Sequence, residues 1–215
     1  MKENLFETQY DVTKKTKIKK FYEKSKILIF SSIFILLIAV ASYTLYLDKK
    51  EKRKIILSDN YIKAKIYLHN GNKNEAINML KTIISASDST YSTLSLFLLL
   101  DENLISDKVE LTNLFNHVIQ NHKSENEIKN LIIFKKALYQ SNFVNEKDLI
   151  ESLKPLINKD TIWKPHVLLL IGDYFFSKKE YFKAKEFYME ILSLKNLHKE
   201  FYDHARSHLI LISND

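Results

Sequence analysis

The sequence predicts an all-α protein: a single N-terminal transmembrane helix, then a solenoid of about four helical hairpins closed by a capping helix. Three observations predict it. Glycine and proline are scarce, with two of each in 215 residues. One uninterrupted apolar run lies near the N-terminus. Beyond it, apolar residues recur at helical spacing and stop only at short polar clusters.

The composition excludes several function classes. Average usage would supply roughly 15 glycines and 11 prolines at this length. With only Gly71 and Gly172, neither a dinucleotide fingerprint nor a P-loop can form. All-β folds built on tight turns are disfavoured for the same reason. The absence of cysteine excludes disulfides, cysteine zinc sites, thiol catalysis and a lipid-modified N-terminal Cys.

Residues 1–26 read as a basic cytoplasmic tail, with eight Lys against Glu3, Glu7, Asp11 and Glu23. Residues 27–47 read as the transmembrane helix. They carry no charge, and 13 of the 21 are Ile, Leu, Phe or Val. As a helix they extend about 31 Å, the thickness of the hydrocarbon core. Those 13 side chains favour insertion by roughly 4–8 kcal/mol. A buried core helix is the bland alternative, disfavoured by the length of the run and its basic flanks. A cleaved signal peptide is another, since Ala39-Val40-Ala41 fits a small-residue cleavage pattern. The run continues past those alanines to Leu47 and then meets charge, which favours an uncleaved anchor.

Residues 48–54 read as a basic juxtamembrane linker, and 55–215 as the helical repeat domain, with 20 basic and 20 acidic residues. The net charge of +7 therefore sits on the two flanks of the apolar run. That layout suits lipid headgroups, and with Arg53 and Arg206 as the only arginines no nucleic-acid partner is expected. Seven Lys precede the span and five Lys or Arg follow it closely, which places the N-terminus in the cytoplasm. The repeat domain is then periplasmic if the cell has two membranes.

Within 55–215 the polar clusters divide the chain into helices over 54–69, 73–86, 90–103, 107–121, 125–141, 146–158, 163–177, 180–194 and 200–213. Pro165 fits a first helical turn. Alternate helices begin about 36 residues apart, the interval of a stacked hairpin array. Two hairpins superpose by residue type. Ala64, Tyr67, Gly71, Ala76 and Leu80 stand at the same spacing as Gly172, Phe175, Lys179, Ala184 and Tyr188. Small residues at Ala64 or Gly172 and at Ala76 or Ala184 let paired helices approach, and the large ones fill the space beside them. This spacing resembles the tetratricopeptide repeat. The units over 90–121 and 125–158 share the helix lengths but lack the small-residue signature. The alternative is irregular helical packing. The length suffices for one continuous core.

In such arrays the first helix of each hairpin lines a concave groove where peptides dock. By repeat position, Tyr61, Lys65 and Leu68 should face it from the first unit, and Leu169, Asp173 and Phe176 from the fourth. Leu68 and Phe176 are as readily packing residues.

The layout of basic tail, single span and tetratricopeptide-like domain resembles the ancillary SecYEG translocon subunit family of bacterial inner-membrane proteins. Lys19-Lys20-Phe21-Tyr22-Glu23-Lys24 resembles the aromatic-basic stretch before its span, and Trp163 to Ala205 its closing repeat and capping helix. The resemblance implies a non-catalytic adaptor beside the protein-conducting channel, with translocated clients or periplasmic chaperones as partners. A scaffold for another envelope-assembly complex is the second reading.

Catalytic signals are weak. The acidic pairs Asp101-Glu102, Glu125/Glu127 and Glu146/Asp148 read as solvated helix starts. No nucleophile-elbow motif exists. Glu200, His204 and His208 stand at i, i+4 and i+8, and two His at that spacing can bind zinc. A polar outer face on a capping helix is the simpler reading. No catalytic residue, metal or cofactor is therefore expected.

Overall fold

The computed structural model describes residues 12–121, 123, 126–157 and 161–213. The expectations for residues 1–11, and for His122, Ser124, Glu125 and Asn158-Lys159-Asp160, lie outside the described residues. Nine helices and no strand occur among those described: α1 Val12–His69, α2 Lys73–Ser85, α3 Tyr91–Asp101, α4 Lys108–Asn121, α5 Asn126–Gln140, α6 Glu146–Ile157, α7 Lys164–Ser177, α8 Tyr181–Ser193 and α9 Lys199–Ser213. From α2 onward every boundary falls within two residues of the sequence reading.

The chain divides into two compact units after Ile56. In the first, 27–47 is exposed at every residue except Ile29, which is partly covered. Its mean hydropathy over the most apolar window is 2.4, and none of that window is buried by protein. This overturns the buried-core alternative. Among the described residues α1 is the one helix long and apolar enough to cross a membrane. Residues 48–54, read from the sequence as a linker, are helical and belong to α1. The stretch has no Gly or Pro to break a helix, and Lys52 pairs with Asp48 one turn away at 2.8 Å.

The second unit is a chain of antiparallel neighbours. Each helix from α2 packs on the next, and α2 also meets α4 as α7 meets α9. Side-chain ties recur about one repeat length apart in sequence. Lys135 reaches Asp101 at 3.3 Å, the Lys183 ammonium donates to Glu146 at 2.7 Å, and the Lys123 N–H donates to the Ser89 hydroxyl at 3.1 Å. Asp88, Asp107 and Asn145 cap α3, α4 and α6 by accepting backbone N–H bonds.

Three helices end by one device. The N–H of Asn72 reaches the Tyr67 carbonyl, that of Leu104 reaches Leu99, and that of Glu180 reaches Phe175. Each closure needs a left-handed residue just before the donor: Gly71 at φ 81°, Asn103 at φ 48° and Lys179 at φ 62°. Lysine bears a steric cost there that glycine does not. Lys179→Gly is expected to stabilise the unit by about 1 kcal/mol in urea unfolding. An unchanged or lower midpoint would contradict this.

The buried side chains form two clusters, not the single core expected from length. One joins Leu57 and Ala64 of α1 to Leu80, Ile83, Leu96, Phe115 and Ile132. The other joins Ala137, Leu153, Val167, Ile171, Phe175, Tyr188 and Ala205. The division falls on α5, where Ile132 belongs to the first and Ala137 to the second. The reason is geometric: at helical spacing Ile132 and Tyr139 share one face of α5, which packs in the first cluster, and Ile133, Phe134 and Ala137 lie on another, which packs in the second.

Candidate functional site

The repeat positions set the site. Ala64, Ala76, Leu80, Ala184 and Tyr188 are fully buried, Phe175 nearly so, and Gly172 is buried. Tyr67 is half-buried and Gly71 is exposed in its turn. Gly172 seats the ring of Tyr188: a Cβ there would lie 2.8 Å from Tyr188 Cε1 and 3.1 Å from Cδ1. The hairpin of α7 and α8 thus closes glycine against aromatic ring. Phe175 stacks on Phe187 beside this contact, ring centroids 5.7 Å apart.

The first and second hairpins meet through serine. Ser92 and Ser95 are buried on the face of α3, and the Ser92 hydroxyl donates to the carbonyls of Ile83 and Ile84 on α2 at 3.0 and 3.2 Å. Serine supplies the small side chain that glycine or alanine supplies elsewhere.

The six groove candidates have different surroundings. Lys65 is exposed. Tyr61 is partly buried against the first cluster, with its ring 6.2 Å from that of Tyr91. Leu68 is half-buried. Leu169 and Phe176 pack on the second cluster. Asp173 is tied into a polar cluster that joins α7, α8 and α9. Its Oδ1 accepts a 2.7 Å hydrogen bond from the Tyr188 hydroxyl and lies 3.1 Å from His204 Nε2. Burial, then the Asp173 hydrogen bond and charge, raise the Tyr188 pKa well above its ordinary value, so the phenol stays a donor.

On α9, His204 and His208 stack with ring centroids 4.3 Å apart and planes 2° from parallel. His208 also meets the rings of Phe176 at 4.8 Å and Tyr188 at 5.2 Å. Both histidines are half-buried, so they do not form the polar outer face read from sequence. The exposed face carries Tyr202, Asp203, Arg206 and Ser207 instead. Ala205 turns fully inward, with Phe201 and Leu209 beside it. Asp173 and His204 are 31 residues apart, out of register with the interval of about 36 residues, and no sequence signal pairs them.

A second aromatic cage surrounds His166. Its ring lies 5.8 Å from Phe134, 5.2 Å from Trp163 and 4.7 Å from Phe201. Burial lowers its pKa below the ordinary histidine value, although the Glu200 carboxylate pulls the other way. A folded pKa below the unfolded one means the unfolded chain binds more protons. The contribution is therefore complete above about pH 6.5 and is lost as pH falls through the folded value. His166→Phe should remove that loss: its melting temperature, measured against the parent, should gain on acidification from pH 7.5 to 5. A constant offset would refute the assignment.

A family model of the tetratricopeptide repeat matches residues 60–90 and 165–196. A search of curated proteins and one of solved structures found no match. The two matched segments contain the hairpins that superpose by residue type, and the middle units fall outside them. Repeats of this kind are protein-interaction scaffolds. The C-terminal unit is thus a tetratricopeptide-like helical domain, with its repeats most regular at the two ends.

Proposed function

We propose that the chain is a non-catalytic, single-pass inner-membrane adaptor whose repeat domain lies in the periplasm. There it binds proteins beside the Sec translocon, assisting translocated clients or periplasmic chaperones. The observation that carries this reading is the combination of an exposed, charge-free apolar stretch at 27–47 with tetratricopeptide-like hairpins in the same chain. The lysine excess before the span supports the cytoplasmic N-terminus. The resemblance of Lys19–Lys24 and Trp163–Ala205 to the ancillary translocon subunits supports the choice of channel.

The groove residues proposed for client contact are Tyr61, Lys65 and Leu68 at one end and Leu169, Asp173 and Phe176 at the other. Partly buried aromatics beside charged side chains suit transient peptide contacts.

Two measurements test the reading. A reporter fused after the last residue should be active in the periplasm, and activity in the cytoplasm would overturn the topology. A photo-crosslinker at the exposed Lys65, used in intact membranes, should capture translocon subunits or exported chains. Capture of cell-wall or outer-membrane assembly factors alone would move the adaptor to another envelope complex.

A further inference from the structure

The cluster between α7 and α9 holds more ligating chemistry than a helix cap requires. One donor atom from each of Asp173, His204 and His208 lies within 4.8 Å of the others. Two of these donors sit one turn apart on α9, and the third comes from α7. We propose that Asp173, His204 and His208 form a binding site for a divalent transition-metal ion of the zinc type, which clasps the capping helix to the last hairpin.

Four features of the geometry carry this. The two imidazoles lie one helical turn apart with a nitrogen of each close to Asp173, so side-chain rotation that unstacks the rings can turn both nitrogens to one point without a change of backbone. His208 Nδ1 lies 3.1 Å from the carbonyl of His204, which can only accept. Nδ1 is therefore the protonated nitrogen, and Nε2 keeps its lone pair for a metal. Asp173 is oriented by the Tyr188 hydroxyl, the kind of outer partner that holds a ligating carboxylate. Tyr188 is itself fully buried, so that orientation is fixed by packing.

Access and ligand set agree with this use. The side chains of His204 and Asp173 are 37% and 40% exposed, enough for an ion to enter and a water to complete the shell. Two imidazoles and one carboxylate form a set that suits zinc, and with no cysteine in the chain no thiolate competes for it. Glu200, grouped with these histidines in the sequence reading, is not part of the cluster. The inference does not depend on the chain being a translocon adaptor.

The test uses the full chain in detergent, purified without a histidine tag and stripped with chelator. Titration with Zn²⁺ alone should give one saturable site per chain by calorimetry. Asp173→Asn and His208→Gln should each weaken it at least ten-fold, whereas Glu200→Gln should leave it unchanged. On the unmutated chain, Zn²⁺ should protect His204 and His208 from diethyl pyrocarbonate, read by peptide mass spectrometry. That readout stands even if a variant misfolds. No saturable binding, affinity indifferent to both variants, or equal modification of these histidines with and without Zn²⁺ would each overturn the site. The cluster would then be a hydrogen-bonded brace only.

Discussion

Tyr188→Ala should destabilise the repeat domain by about 3–5 kcal/mol, the range for deleting a buried aromatic ring. The ring is fully buried and fills the space against Gly172. Its hydroxyl also anchors Asp173, so the loss is felt on α7 and α9 together. The reciprocal change probes the same contact from the other side. Gly172→Ala brings a helix-propensity gain of about 1 kcal/mol. It also places a methyl 2.8 Å from a ring that cannot swing away. Overpacking of that kind costs about 1–3 kcal/mol, so the net effect should be destabilising. Gly172→Val adds branching without the same propensity gain and should lose more. Combining Gly172→Ala with Tyr188→Leu should cost less than the two single changes summed, because the smaller side chain vacates the clash. Additive costs in urea unfolding would show that the glycine is not there for the ring.

The second large effect concerns the membrane. Leu36→Arg and Leu37→Arg place two charges at the middle of 27–47. Each arginine at a helix centre disfavours insertion by about 3 kcal/mol, so the pair outweighs much of the apolar gain of the whole run. The expected result is a chain that alkaline carbonate extracts from membranes, where the parent resists extraction. A doubly substituted chain that still resists would remove the span as the anchor. The corresponding change at an exposed apolar residue of the repeat domain, Ile66→Arg, should leave extraction unaffected.

These two sites differ in how readable they were. Gly172 and Tyr188 announce themselves in sequence, because glycine inside an apolar helix has few uses besides close approach. The helix limits were equally legible, since Asp, Asn and Ser at the breaks supply the caps seen at Asp88, Asp107 and Asn145. The second hairpin was harder. Its small face is serine, which sequence alone reads as polar. Its terminating residue is Asn103, which does the work of Gly71 through an asparagine's tolerance of the left-handed region. The helicity of 48–54 was hidden by its charge, which suggested a linker, although none of those residues breaks a helix. The grouping of Asp173 with His204 depends on two helices that are neighbours only after the array has stacked. No local pattern encodes that, so the histidines were matched with Glu200 on their own helix instead.

The division of buried side chains on α5 has a kinetic consequence. α5 serves both clusters, with Ile132 and Tyr139 in the first and Ile133, Phe134 and Ala137 in the second, so the helices after α5 should open together while the first cluster stays closed. Amide exchange in the native protein should then sort into two populations, one before α5 and one after it. A client that needed more room than the closed array offers could gain it by loosening one half, with the other half remaining as a fixed ledge.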